Sequence, residues 1–230
     1  SDARMTELKR QVTTARSFGL DMHVLSAKEA QDLWPVMSLE GVVGATFLPS
    51  DGQANPSDIT QALARGARMH GAKIIEDCPV IKITRDALGV TGVETPFGVI
   101  GCETIILCAG QWTREVAGQI GVNVPLVSVE HQYLMTEPIA GVTRDLPTMR
   151  DADNLIYFRE EVGGLTMGGY EPNPKPWAVD GIPEGFHFSL LNNDLDHFEQ
   201  IMERAVMRVP ALETTGIKDF INGPESFTPD

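Results

Sequence analysis

The chain has 230 residues, 42% hydrophobic, 22% charged and 7% aromatic, and its 18 Lys and Arg face 32 Asp and Glu for a formal net charge of −14. That length and apolar fraction suffice to bury a core in one or two domains and exclude a disordered chain. The acidity, with no basic cluster, argues against nucleic acid or an anionic membrane as partner, because neutralising phosphates needs Lys and Arg on one face. No apolar run approaches the roughly 18 residues of a membrane span.

Three cysteines, Cys78, Cys102 and Cys108, are odd in number and widely spaced. That pattern fits reduced thiols in an intracellular protein, cytoplasmic or in a mitochondrial matrix, better than a disulfide framework.

In chain order, Thr6 to Arg16 has helical character, and Ser26-Ala27-Lys28-Glu29 is a capping box that opens a short helix to about Leu33. Gly41 to Leu48 is strand-like and ends in the turn Pro49-Ser50-Asp51-Gly52. Asn55-Pro56 supplies an N-cap and a proline at the first helical position. Ile59, Ala62, Leu63 and Ala67 then hold one apolar face until Gly71 stops the helix. Strands are expected over Lys73–Ile75 and Pro79–Thr84, with a hairpin from Val90 to Thr95 and from Val99 onward around Pro96-Phe97-Gly98. Thr104 to Cys108 reads as a buried strand that passes through Ala109-Gly110 into a helix from about Trp112 to Ile120.

In the second half, Val127, Val129, His131 and Tyr133 alternate with Ser128, Glu130 and Gln132, which puts the first set on one face of a strand. Asn154–Arg159 and Leu165–Tyr170 form an expected strand pair across Gly163-Gly164, followed by a proline-rich loop through Pro172, Pro174 and Pro176. Asp194 to Arg208 is an amphipathic helix with Leu195, Phe198, Ile201, Met202 and Ala205 inward, ended by Pro210. Residues 179–230 carry half of the net charge and read as a solvated face. No terminal element is evident at Ser226–Asp230, and both ends are expected to be cuts through a longer protein.

No G-x-G-x-x-G or P-loop occurs, and the five histidines have no metal-ligand spacing with the cysteines. Asp151-Ala152-Asp153-Asn154 begins like a calcium loop, but Ile156 stands where glycine is required. The run Glu103 to Trp112, with Ala109-Gly110 between strand and helix, lets backbone approach a ligand whose negative charge can face the helix N-terminus. Any strand–helix turn also favours a small residue there.

This segment resembles the flavin-contacting turn of the D-amino-acid-oxidase-type flavoenzymes, within them the sarcosine and dimethylglycine dehydrogenase group. Further likenesses are Gly44-Ala45 with Asp51-Gly52, Pro79-Val80, Val124-Pro125-Leu126, His131-Gln132-Tyr133 and Leu155 to Arg159. The most specific are Gly168-Gly169-Tyr170-Glu171-Pro172-Asn173-Pro174 and Gly223 to Asp230. The resemblance implies an α+β or mixed α/β chain. Residues 1–53 and 123–230 would form a substrate domain on a mixed, largely antiparallel sheet, with segments near 220–230 leading back to the FAD domain, and 54–122 part of an FAD-binding α/β domain.

It also implies FAD as cofactor, met by Val80, Ala109, Gly110 and Trp112, and tetrahydrofolate in a region outside the chain. Because no phosphate-cradling glycine loop is present, the isolated chain is expected to hold FAD weakly or not at all. The family's substrate-pocket histidine and tyrosine fall on His131 and Tyr157. Oxidising an N-methyl amine needs the nitrogen lone pair free, and a histidine is suited to bind or deprotonate that nitrogen. By residue type alone, His131 could be a strand histidine satisfied by local hydrogen bonds, Tyr157 a core tyrosine and Trp112 a packing aromatic.

Arg159 could clamp a substrate carboxylate or pair at the surface. The implied partner is a small N-methyl amine, with the electron acceptor left open. A second reading is non-catalytic. The pyruvate dehydrogenase phosphatase regulatory subunits share the architecture, including the Asn173 to Pro176 run and the Asp194 to Glu199 helix start. A third, from the residues alone, is a generic α/β ligand-binding domain.

Overall fold

The computed structural model describes residues 1–229. In chain order the elements are α1 (Asp2–Ser17), β1 (His23–Ser26), α2 (Ala27–Leu33), β2 (Gly44–Phe47), α3 (Pro56–Met69), β3 (Lys82–Arg85), β4 (Val90–Thr95), β5 (Gly98–Gly101) and α4 (Thr113–Gly118). There follow β6 (Val127–Thr136), β7 (Met149–Asp151), β8 (Ile156–Glu161), β9 (Gly164–Gly169), β10 (Pro176–Trp177), α5 (Leu195–Arg208) and β11 (Ile217–Phe227). Short 3-10 turns stand at Gly110–Trp112 and Pro210–Glu213. The mixed α/β character and antiparallel pairing expected from the sequence are present.

The chain divides into two compact units. The first takes 1–53, 131–174 and 190–223; the second takes 54–130, 175–189 and 224 onward. Relative to the expected boundaries, residues 123–130 and 175–189 fall with the second unit. Asp230, the last residue of the Gly223 block, lies outside the described residues.

In the first unit, β6 from His131, β9, β8 and β7 form one antiparallel sheet. Its side chains alternate as the pleat requires. Leu134, Ile156, Phe158, Leu165 and Met167 point into a core that α5 closes with Phe198, Ile201 and Ala205. A Cβ on Gly169 would lie 2.7 Å from Leu155 O and 3.0 Å from Ile201 Cγ2, so the bare glycine sets how closely α5 approaches the sheet.

Asp194 caps α5, its Oδ1 accepting from His197 N–H at 3.1 Å. The fully buried Gln132 holds that cap from the sheet. Its Nε2 donates to Asp194 O at 3.1 Å, and its Oε1 accepts from Asp194 N–H at 2.8 Å. Arg208 ends the helix buried, its Nε 2.9 Å from Asp151 Oδ2, and its Nη1 donates to the carbonyls of Ser38 and Glu40. The acidic last fifth of the sequence therefore contributes a core helix as well as a solvated face.

Two expectations fail here. Leu195 is 63% exposed, because helical Cα–Cβ bonds tilt toward the N-terminus and the first residue's side chain reaches past the helix end. The C-terminal stretch is a strand, β11, pairing with β6, although Gly223-Pro224 breaks the usual sequence signature.

In the second unit, β3, β4 and β5 form an antiparallel meander. Thr95 closes its hairpin, accepting from Phe97 N–H at 3.2 Å and donating to Gly98 O at 2.8 Å. Asn55 Oδ1 accepts from Ser57 and Asp58 N–H at 2.9 and 3.1 Å and so caps α3, with Pro56 in its first turn. Neither Lys73–Ile75 nor Thr104–Cys108 is a strand, and Thr104, Ile106 and Cys108 are exposed. An apolar run becomes a strand only when a neighbour takes up its backbone N–H and C=O groups, and no described strand lies alongside either segment. The expected strand from Pro79 starts at Lys82, and the helix expected to reach Ile120 ends at Gly118.

Candidate active site

The first unit's sheet has a core face and an open face. Residues at period two from the core positions project to the open face: His131, Tyr133 and Met135 of β6, Tyr157 and Arg159 of β8, Thr166 and Gly168 of β9, and Arg150 of β7. Tyr157 stands opposite Gly168 in one ladder and Arg150 in the other. That open face borders a cavity of about 1460 Å³, lined among others by Tyr133, Arg144, Arg150, Tyr157, Arg159 and Thr166.

His131 and Tyr157 meet on that face, and of the two Tyr157 lines the cavity. His131 Nε2 and Tyr157 Oη are 3.0 Å apart, and the two rings stack with centroids 6.1 Å apart. Either atom can donate, depending on the imidazole tautomer. Tyr170, two residues beyond Gly168, completes an aromatic cluster with centroids 5.1 Å from His131 and 5.9 Å from Tyr157. The cluster depends on Gly168, where a Cβ would fall 2.6 Å from Tyr157 Cζ and 2.9 Å from Tyr133 Cβ. Strand alternation could have linked Tyr170 to Gly168 in the sequence, but only the ladder register shows that Arg150 shares their face.

Arg159 lines the same cavity but is engaged: Nη2 donates to Glu161 Oε2 at 2.8 Å and to Thr166 Oγ1 at 3.4 Å. Half-exposed Arg–carboxylate pairs of this kind are worth little in stability, and both contacts use Nη2 alone, while Arg159 Nε is buried without a partner among the described residues.

The residues expected beside the cofactor lie in the second unit. Ala109, Gly110 and Trp112 form one turn, with Trp112 N–H donating to Ala109 O at 3.1 Å. Gly110 has φ +54°, and nothing stands within 4 Å of where its Cβ would be. Gln111 Oε1 is buried without a partner among the described residues. Trp112 and Val80 leave apolar surface in solvent, 38% and 43% exposed. An open glycine turn, an unfilled buried acceptor and exposed apolar side chains fit a large planar ligand with N–H donors, as FAD is.

Among the described residues no group of His, Cys, Asp or Glu is arranged to hold a metal ion, and no helix is long and apolar enough to cross a membrane.

Over 99% of its length the chain is 41% identical to sarcosine dehydrogenase of Homo sapiens, 34% to dimethylglycine dehydrogenase of Rattus norvegicus and 36% to the pyruvate dehydrogenase phosphatase regulatory subunit of Mus musculus. It spans only 25–27% of those relatives' own length. The solved structure of L-proline dehydrogenase from P. horikoshii covers the whole chain at TM-score 0.82 and 22% identity, with 59% of that structure matched. The family model described as FAD dependent oxidoreductase matches residues 1–230, and the chain belongs to that family.

Proposed function

We propose that this chain is the substrate-binding part, with a portion of the cofactor domain, of an FAD-dependent dehydrogenase or oxidase that demethylates sarcosine, dimethylglycine or a similar N-methyl amine. The observation that carries this is the 3.0 Å contact of His131 Nε2 with Tyr157 Oη on the open face of an otherwise core-packed sheet. An imidazole so placed can take or hold the proton of a substrate ammonium at Nε2 or through the Tyr157 hydroxyl, leaving the amine lone pair available. The faces of Tyr157 and Tyr170 suit a methylated ammonium and keep water from it.

Val80, Ala109, Gly110 and Trp112 would hold FAD, which would supply a two-electron acceptor for the hydride lost from the methyl carbon. The resulting iminium hydrolyses to formaldehyde and the demethylated amine. Tetrahydrofolate, in a region outside this chain, would make no demand on these residues. The partner is thus a small N-methyl amine, and the place of action is the cytoplasm or, if the source is a eukaryote, the mitochondrial matrix, in keeping with the mitochondrial relatives.

Anaerobic reduction of the flavin by sarcosine or dimethylglycine, measured on the full-length protein, tests this. His131→Ala and Tyr157→Phe should each slow reduction, by about 10²- to 10⁴-fold for a group acting in general acid–base chemistry. If both variants stay within twofold of the parent, the pair does no chemistry. A full-length protein that binds FAD but is reduced by neither amine would instead favour a regulatory role, like that of the phosphatase subunit relative.

A further inference from the structure

Two titratable side chains of the first unit have no part in the proton chemistry described above. Glu171 and His197 face each other with Oε1 and Nε2 3.9 Å apart, and the Glu171 side chain is only 7% exposed. Both atoms are buried without a hydrogen-bond partner among the described residues. Buried carboxylate and imidazole atoms are normally satisfied, because one left unpaired keeps its full desolvation cost.

Two periodicities bring them together. A Cβ on Gly169 would lie 3.0 Å from Ile201 Cγ2, so Gly169 faces α5. Two residues along the extended chain Glu171 faces the same way, and His197 stands one turn before Ile201 on the same side of the helix. Pro172 biases Glu171 to the extended backbone that keeps this alternation. Tyr170, between Gly169 and Glu171, points the opposite way, to the face where its ring packs on His131 and Tyr157. His197 is itself anchored, its backbone N–H donating to the cap residue Asp194, which Gln132 grips from β6. Gln132 is the neighbour of His131 as Glu171 is the neighbour of Tyr170, so buried polar side chains stand directly behind the aromatic cluster.

We propose that Glu171 and His197 form a buried imidazole–carboxylate pair between the chain leaving β9 and the first turn of α5, and that Glu171 is a positioning residue that acts through Tyr170 to hold the aromatic cluster around His131. This rests on the reading of the site given above and supplies the support behind it. With hydrogen on Nε2 the imidazole offers its N–H to the carboxylate, whereas a bare Nε2 would set two acceptors against each other. Tyr170 N–H donates to Leu155 O at 2.8 Å, which pins the backbone on one side of the ring, and the pair at Glu171 pins it on the other. Gln132 and Asp194 tie α5 to β6, and Glu171 with His197 is the corresponding tie to the end of β9.

The test uses the full-length flavoprotein, read first by anaerobic flavin reduction with sarcosine or dimethylglycine. Glu171→Ala should lower the limiting rate by about 5- to 100-fold, the range of a misplacement approaching 1 Å in the site. Glu171→Gln, which keeps an acceptor for the imidazole N–H, should stay within about threefold of the parent. His197→Ala should match Glu171→Ala, and the double variant should lose no more than either alone, because both break one contact. The deciding cycle adds Tyr170→Leu: when Glu171 acts through that ring, Glu171→Ala costs little further in the Tyr170→Leu background. Losses that simply multiply would overturn the positioning role. Should Glu171→Ala fail to fold, His197→Ala and its cycle with Tyr170→Leu test the same contact.

A second readout avoids chemistry altogether. In crystal structures of the full-length variants, the 5.1 Å separation of the Tyr170 and His131 ring centroids should lengthen in Glu171→Ala and hold in Glu171→Gln. A Tyr170 ring that stays in place in Glu171→Ala overturns the proposal, as does a Glu171→Gln variant as impaired as Glu171→Ala. If neither amine reduces the flavin but Tyr170 shifts in Glu171→Ala alone, the proposed reaction fails and the support behind the cluster stands.

Discussion

Two helices of 14 residues, α3 in the second unit and α5 in the first, follow the same local rules and meet opposite fates. Each is capped by a side-chain oxygen, Asn55 or Asp194, and each has an apolar stripe at helical spacing. α5 buries Phe198, Ile201 and Ala205 against the sheet, whereas α3 buries nothing and leaves Leu63 70% exposed. Much of the second unit's apolar surface shares this fate, with Ile81, Phe97, Val99, Ile100 and Ile106 in solvent, although Ile83, Ala117 and Val129 are buried. Amphipathic pattern and capping specify a helix, but only a partner surface turns its stripe into stability, at about 1.5–3 kcal/mol per large apolar side chain buried.

The largest effect expected from this contrast lies in the core of the first unit. Ile201→Ala should destabilise the chain by about 2–5 kcal/mol in urea denaturation, through lost burial and the cavity left beneath the sheet. Leu63→Ala in α3 should change stability by no more than about 0.5 kcal/mol. A loss above about 1 kcal/mol at Leu63 would mean that the α3 stripe is covered in solution and would erase the contrast.

The two units also use glycine differently, and this gives a functional comparison. Gly168 is needed for space and Gly110 for backbone conformation, its φ being +54° with open surroundings. Gly168→Ala should push Tyr157 off His131 and lower flavin reduction in the full-length protein toward the level of Tyr157→Phe, with flavin content unchanged. Gly110→Val, a β-branched residue forced into the left-handed region, should instead strip the protein of flavin, read as the absorbance ratio of purified protein. If either substitution produced the other's phenotype, the assignment of substrate chemistry to one unit and cofactor contact to the other would be reversed.

The smallest effect tests purely local structure. Glu29 closes the capping box of α2, and hydrogen bonds from the Ser26 hydroxyl and then its backbone N–H hold its carboxyl below the usual glutamate range. Ser26→Ala should move the Glu29 titration, followed by NMR, up toward the ordinary value. A depressed carboxylate contributes stability that is present above its unfolded pKa and lost as pH falls through the folded one. The variant should therefore lose more stability near neutral pH than in strong acid, where only the Ser26 Oγ cap on the Glu29 N–H is still missing. An unmoved titration would show that the box does not form in solution.

Much of the fold was legible because its signals are local. The capping box at Ser26, the Asn55-Pro56 helix start, the Val90–Thr95 hairpin and the alternation through His131 each depend on residues within a few positions of one another. The misread segments depend on neighbours distant in sequence. Thr104–Cys108 has the apolar composition of a buried strand but no described strand beside it, and β11 exists through pairing with β6 despite Gly223-Pro224. The candidate site divides the same way. His131 and Tyr157 were reached through motif likeness, but Arg150 belongs to a short strand with no periodic signal, and Arg159, nearer in sequence to Tyr157, proved to be tied to Glu161.

By itself the sequence determined the family, the helices and hairpin with local caps and turns, and which face of β6 carries His131, since a period of two leaves that face no choice once the strand forms. The tertiary structure alone decided which strands stand side by side and in what register. It thereby decided that Tyr157, Tyr170 and Arg150 gather around His131 over a glycine with no room for a side chain. Register is set by long-range burial of the opposite face against α5, an energy that no short stretch of sequence contains.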